Sequence, residues 1–212
     1  MDVHPLTGAM PKRGTQKRPG TEPWFSPPKA AKPVYRSRGF TVYQFQQTMF
    51  DGRRVTYEAV WRPPTVNIIA TVGHKVIVTR ERQPGIAGGG WYQGMPGGRA
   101  NEGETPLQGA KRELLEETGY TSKDWTLLST DQAWSRQRWA VCWFLARHCK
   151  KTSEPSTGPN EVVEVHLVDL DEFLRQTVEW AGNIISDFAA MRYDAKKRRA
   201  FARKAFGPGA SG

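Results

Sequence analysis

The chain has 212 residues, 38% hydrophobic and 11% aromatic, enough for one domain with a core, and no apolar run approaches the roughly 20 residues of a membrane span. Its formal net charge of +10 is confined to the ends: residues 1–38 carry 8 Lys/Arg against 2 Asp/Glu, residues 192–212 carry 7 against 1, and residues 39–191 carry 16 against 18. Two cysteines, Cys142 and Cys149, exclude a disulfide framework and an all-thiolate zinc site; without an apolar leader the expected compartment is the cytoplasm.

Residues 1–38 mix Pro, Gly and Lys/Arg pairs with few apolar residues, so a disordered basic arm is expected there, solvated or in contact with RNA or a protein partner. Order is expected from Phe40. Residues 40–62 read as a β-hairpin turning at Asp51-Gly52, with Val55, Tyr57, Ala59 and Trp61 on one face of its second arm. Strands follow at 66–72 and 75–82, a loop at 83–90, and a brief strand at 91–95 entering Pro96-Gly97-Gly98. A helix is then expected, with Thr105 as N-cap, Pro106 in its first turn, Leu107, Ala110 and Leu114 as its buried stripe, and Gly119 as its stop. Strands near 125–130, 139–148 and 161–168 come next. A helix starts at Asp169 or Asp171, and a last helix runs from about Ile184 to Phe206, amphipathic first and basic after. This order predicts an α/β layered domain with a mixed or mostly antiparallel sheet over 39–191, and a basic helix end and flexible tail over 192–212.

The helix over 106–118 carries an electrostatic problem. At about 100° per residue, Glu116 lies about 60° to one side of Glu113 and Glu117 about 40° to the other, so three carboxylates share one face. Like charges four apart cost about 0.2–0.5 kcal/mol per pair, and acids near a helix C-terminus oppose the macrodipole by about 0.3–1 kcal/mol each. Lys111 and Arg112 offset part of this. A divalent cation would reverse the sign, and clustered hard oxygens suit Mg²⁺ or Mn²⁺ shared with substrate phosphates.

From Gly98 the spacing runs Gly, five residues, Glu104, seven residues, Arg112-Glu113-Leu114, one residue, Glu116-Glu117, one residue, Gly119, Tyr120. These 23 residues resemble the signature box of the Nudix hydrolase family, and the flanking elements extend the resemblance over roughly 40–180. The resemblance implies an α/β/α sandwich with a mixed sheet, preceded here by the N-terminal β-hairpin. It also implies hydrolysis of a phosphoanhydride in a nucleoside diphosphate linked to X. By the same resemblance Glu113, Glu116 and Glu117 hold Mg²⁺ or Mn²⁺ or polarise its water, the Gly98 carbonyl is a further ligand, and Arg112 pairs with Glu104 to hold helix to loop. Within the family the chain looks most like the ADP-ribose pyrophosphatase branch, on its N-terminal hairpin, its "RERQPG" stretch and its acidic segment at 154–172. That branch implies ADP-ribose or a related nucleotide sugar as substrate, a nucleoside monophosphate and a sugar phosphate as products, and a homodimer through the N-terminal strands. The alternatives are a nucleoside triphosphate, a dinucleotide polyphosphate or a capped RNA end as substrate, or a Nudix-fold RNA-binding or regulatory protein.

Outside the box, Glu154, Glu161 and Glu164 are candidates for a loop general base. Arg80, Arg82, Trp91, Trp134 and Trp139 are candidates for clamping phosphate and stacking a base or sugar, against a competing reading of the tryptophans as core. His74, His148 and His166 have no metal-ligand spacing.

Overall fold

The structure, a computed structural model, describes residues 27–85, 87–132, 136–159, 161–180 and 186–210. Apolar alternation builds its central sheet. Strands β4 (Thr65–Val72), β5 (Lys75–Arg82), β9 (Asp124–Gln132), β11 (Ala140–Arg147) and β13 (Val162–Val168) lie in the order β13-β5-β4-β11-β9. Two short strands join it, β6 (Trp91–Gly94) beside β5 and β7 (Gly97–Arg99) beside β4. The β4–β11 pair is parallel and its neighbours are antiparallel, so the sheet is mixed.

Successive side chains of a strand point to opposite faces, and here both faces are apolar. Val66, Ile68, Ala70, Ile77, Cys142 and Phe144 form one core with Ala110 and Leu114 of helix α1 (Pro106–Thr118). Ile69, Val76, Val78, Trp143 and Leu145 form the other. It is shared with Leu170, Phe173 and Leu174 of α2 (Leu170–Trp180) and Phe201, Ala202 and Ala205 of α4 (Ala195–Phe206). Each large side chain fully buried this way contributes about 1.5–3 kcal/mol. The result is the α/β/α sandwich expected from the sequence. Both cysteines are buried, and no helix among the described residues is long and apolar enough to cross a membrane.

Ahead of the sandwich, β1 (Lys32–Arg36), β2 (Thr41–Thr48), β3 (Arg54–Trp61) and β10 (Gln137–Arg138) form a second sheet in that order. The expected hairpin is its centre, pairing Phe45 with Tyr57 and Thr48 with Arg54. Its turn is longer than the Asp51-Gly52 pair suggests: Met49 N donates to Arg53 O at 2.8 Å, Gly52 takes φ +82°, and Asp51 accepts from the Arg53 backbone N at 3.0 Å.

Two differences from the sequence reading concern the ends. Strand β1 lies inside the stretch expected to be a disordered arm; Pro33 is accommodated because β1 is an edge strand, where a missing N–H leaves no ladder bond broken. The rest of the arm, 1–26, lies outside the described residues. The single last helix is two, α3 (Ser186–Tyr193) and α4, separated at Asp194, whose carboxylate accepts from Lys196 N and Lys197 N as an N-cap. The basic second half is helical through Phe206, where the sequence reading ended it, and its apolar stripe is buried against the sheet.

Candidate active site

Helix α1 is held at both ends. Thr105 and Gln108 form a reciprocal capping box, and Gly119 closes the helix in the left-handed region at φ +73°, its N–H donating to Leu115 O at 2.8 Å. Carbonyls left over at this end are taken up by the following loop: Thr152 N donates to Gly119 O at 2.8 Å and Ser156 N to Glu116 O at 2.7 Å. That contact carries residues 152–159 back along the helix.

The glycine turn before α1 is a strand, not an open loop. In β7, Gly98 pairs with Val66 and Gly97 with Asn67. A Cβ on Gly97 would collide with the Val66 carbonyl, and one on Gly98 would stand 2.5 Å from the Glu113 carboxylate. Gly97 is therefore required by close approach to the backbone of the sheet, while a side chain at Gly98 would displace the Glu113 carboxylate of the acidic helix.

Arg112 organises the helix–loop contact as expected. Its Nε donates to Glu104 Oε1 at 3.0 Å and its Nη1 to Glu116 Oε2 at 2.9 Å. Its Nη2 donates to the Arg99 carbonyl at 2.9 Å and to Glu104 Oε2 at 3.2 Å, and stands 3.0 Å from Glu113 Oε1. The hydrogen bond from Arg112 holds the Glu104 carboxyl below the usual range, aided by the backbone N–H of Asn101.

The three glutamates share a face but not an environment. Glu117 is 5% exposed and accepts from Gly97 N at 2.8 Å, the Glu113 side chain is 13% exposed, and the Glu116 side chain is 45% exposed. Burial pushes Glu117 well above its ordinary pKa, and the Glu81 carboxylate pushes it further. Burial raises Glu113 too, opposed by Arg112 and reinforced by Glu116 and Glu161.

Glu81 is the residue that the sequence reading missed. It is buried on β5, accepts from Thr79 Oγ1 at 2.5 Å and Tyr92 Oη at 2.8 Å, and burial raises its pKa. The signal was present in the alternation: Ile77, Thr79 and Glu81 fall on the α1 face of β5, and Arg80 and Arg82 on the other. Those two arginines do face the same way, as expected, but on the α2 side. There Arg80 lies over Trp91, 4.7 Å from the ring centroid, and Arg82 donates to Gly89 O at 2.7 Å. Trp139 is tied elsewhere, donating to Thr65 Oγ1 at 3.0 Å beneath Arg62. Trp134 lies outside the described residues.

Of the three loop glutamates, Glu161 is the one whose charge reaches the site: it raises Glu81, Glu113, Glu117 and Tyr92. Its side chain accepts from Gln83 Nε2. Glu154 is paired with Lys151 at 2.9 Å and its side chain is 83% exposed, while Glu164 contacts Arg80 and His166 at the surface. The histidines are scattered: His148 pairs with Asp124, His166 with Glu164, and His74 packs near Phe206.

Glu81, Glu113, Glu117 and Glu161 are thus hard oxygen donors that disfavour one another's charge, and of the four Arg112 reaches Glu113, as an ion pair at 3.0 Å. A divalent cation fits that donor set by chemistry. The carboxylates do not converge into a ready ligand shell: among the described residues no three His, Cys, Asp or Glu side chains are grouped to hold a metal ion. Each is instead held by a protein donor, Glu117 by Gly97 N, Glu81 by Thr79 and Tyr92, and Glu116 by Arg112.

A family model described as the NUDIX domain matches residues 61–188. Among solved structures, one titled as an ADP compounds hydrolase matches with a TM-score of 0.56 and 23% identity, covering 82% of this chain and 89% of that one. Among curated proteins nothing matches.

Proposed function

Because the chain belongs to the Nudix family, we propose that the carboxylate cluster of α1 and β5 hydrolyses a phosphoanhydride in a nucleoside diphosphate linked to X. Proteins of this family are pyrophosphatases that generally use divalent metals, and the residues here that would hold one are Glu113, Glu116 and Glu117, with Glu81 and the Gly98 carbonyl beside them. A bound Mg²⁺ or Mn²⁺ would neutralise the diphosphate and lower the pKa of a bound water.

The chain's own residues have separable tasks in this reading. Arg112 fixes the helix against β7 and keeps Glu113 and Glu116 oriented. Gly97 N–H anchors one oxygen of Glu117, leaving the other free to act. Glu161, on the loop that returns over the helix, accepts the proton of the attacking water. Water oxygen bonds to phosphorus, the bridging P–O bond breaks, and the departing phosphate takes the electron pair.

The substrate proposed is ADP-ribose or a related nucleotide sugar, giving a nucleoside monophosphate and a sugar phosphate. The hairpin ahead of the sandwich and the 82% coverage by a structure titled as an ADP compounds hydrolase support it. The observation that carries the reaction is the placement of Glu113 and Glu117 of α1 with Glu81 of β5 out of solvent, where burial first and neighbouring carboxylates second raise their pKa values. The test is a panel of ADP-ribose, nucleotide sugars, dinucleotide polyphosphates, nucleoside triphosphates and capped RNA, each with Mg²⁺ or Mn²⁺. Turnover led by ADP-ribose or a nucleotide sugar is expected. Preference for a triphosphate or a cap would move the substrate, and no turnover of any would remove the reaction.

A further inference from the structure

The face of α4 turned away from the sandwich is a row of cations. Phe201, Ala202 and Ala205 occupy one stripe and are buried. At about 100° per residue, Lys196 and Arg203 point almost directly away from that stripe, with Arg199 on one flank and Lys197 and Lys204 on the other. Arg198 falls within the buried sector, where its Nη1 pairs with Asp171 Oδ1 of α2 at 3.0 Å. Among the described residues none of the other five has an ion-pair partner. From Lys196 to Lys204 the row spans about 12 Å along the axis, since each residue advances about 1.5 Å.

Two further features stand at the start of this row. Tyr193 is 82% exposed, with the Arg192 guanidinium 5.7 Å from its ring centroid. Asp194, the one acid between the two helices, spends its carboxylate on capping α4. An exposed aromatic ring beside unpaired cations is the combination that takes a stacked base and its phosphates. A lipid surface is the poorer fit, because an interfacial helix needs a free apolar face and the apolar face of α4 is used on the core.

We propose that α4 and Tyr193 form a binding site for single-stranded nucleic acid, with phosphates along Lys196, Arg199 and Arg203 and a base on Tyr193. The site lies on the α2/α4 side of the central sheet, opposite the α1 glutamates, so it is separate from the hydrolytic cluster and independent of what that cluster cleaves. The firm docking of α4 distinguishes it from a loose basic tail: the charges are presented at fixed spacing.

The test is anisotropy of a labelled oligouridylate, and of the matching single-stranded DNA, against the full chain over a range of salt. Lys196→Gln/Arg199→Gln/Arg203→Gln is expected to weaken binding about tenfold to a hundredfold at about 0.1 M salt and to flatten the slope of log K against log salt by about 2, at about 0.7 per phosphate contact. Arg199→Lys/Arg203→Lys should keep both, and Tyr193→Ala should weaken binding at least about fivefold without changing the slope. Thermal melting checks that each variant is folded. The proposal is overturned if the triple variant binds with the wild-type affinity and slope, if the wild type binds anionic vesicles but neither oligonucleotide, or if it binds none of them.

Discussion

Helices α1 and α4 both crowd like charges, and they treat them in opposite ways. In α1, Glu117 is buried and Glu113 nearly so, against a second buried carboxylate from β5. In α4 the buried stripe is Phe201, Ala202 and Ala205, Arg198 beside it is paired with Asp171, and the other cations stand in solvent. Exposed like charges cost little, because water and salt screen them. Buried ones cost several kcal/mol each unless something compensates. The difference separates a helix kept against its own electrostatics from one that is stable without a ligand.

Removing one buried carboxylate should break that contrast most visibly. Glu117→Gln is expected to lower hydrolytic turnover by about a hundredfold or more, and to raise the stability of the metal-free protein by about 1 kcal/mol, since a neutral amide still accepts from Gly97 N. Steady-state kinetics and thermal melting read the two effects. A variant both active and less stable would say that the acid is structural. In α4 the dependence should lie on the apolar side: Phe201→Ala is expected to cost about 3–5 kcal/mol in denaturant unfolding. Arg112→Ala removes the donor shared by Glu104, Glu113 and Glu116 and is expected to cost about 1–2 kcal/mol in denaturant unfolding.

The pH dependence sharpens the same comparison. Glu81, Glu113 and Glu117 have folded pKa values raised above their unfolded ones near 4.5, so the folded state binds more protons than the unfolded state between those values. Stability of the metal-free protein should therefore fall as pH rises through that window and recover as pH drops toward 4.5. Glu104 is shifted the other way, and its contribution is lost only as pH falls below about 4.5 through its lowered folded value. Melting temperature against pH checks the sign. The smallest effect is expected on α4, where Lys196→Gln/Arg199→Gln/Arg203→Gln should change stability by no more than about 0.5 kcal/mol.

Much of this was legible in the sequence because it depends on local pattern. The strands 75–82 and 66–72, the Thr105 cap and the Gly119 stop follow from alternation and capping chemistry, the Arg112–Glu104 pairing was implied by the family resemblance, and the structure has each of them. What failed to show depends on which element lies beside which. That Glu81 joins the α1 glutamates while Arg80 and Arg82 face α2 follows only once β5 is placed between the two helical layers. The unequal burial of Glu113, Glu116 and Glu117 is set by β7 and the loop over the helix end, neither of which a helical wheel contains. The break at Asp194 had a local signal, an acid followed by two lysines, hidden inside an otherwise continuous helical stretch.

The central claim is that the buried glutamates of α1 and β5 are retained for a divalent cation. Its most direct test is the melting temperature at neutral pH during titration with Mg²⁺ or Mn²⁺, for the wild type and for Glu117→Gln. The wild type should rise from its metal-free value with a saturable dependence on the cation, and the variant should start higher and barely respond. A wild type indifferent to both cations, or a variant that responds just as strongly, would contradict the account.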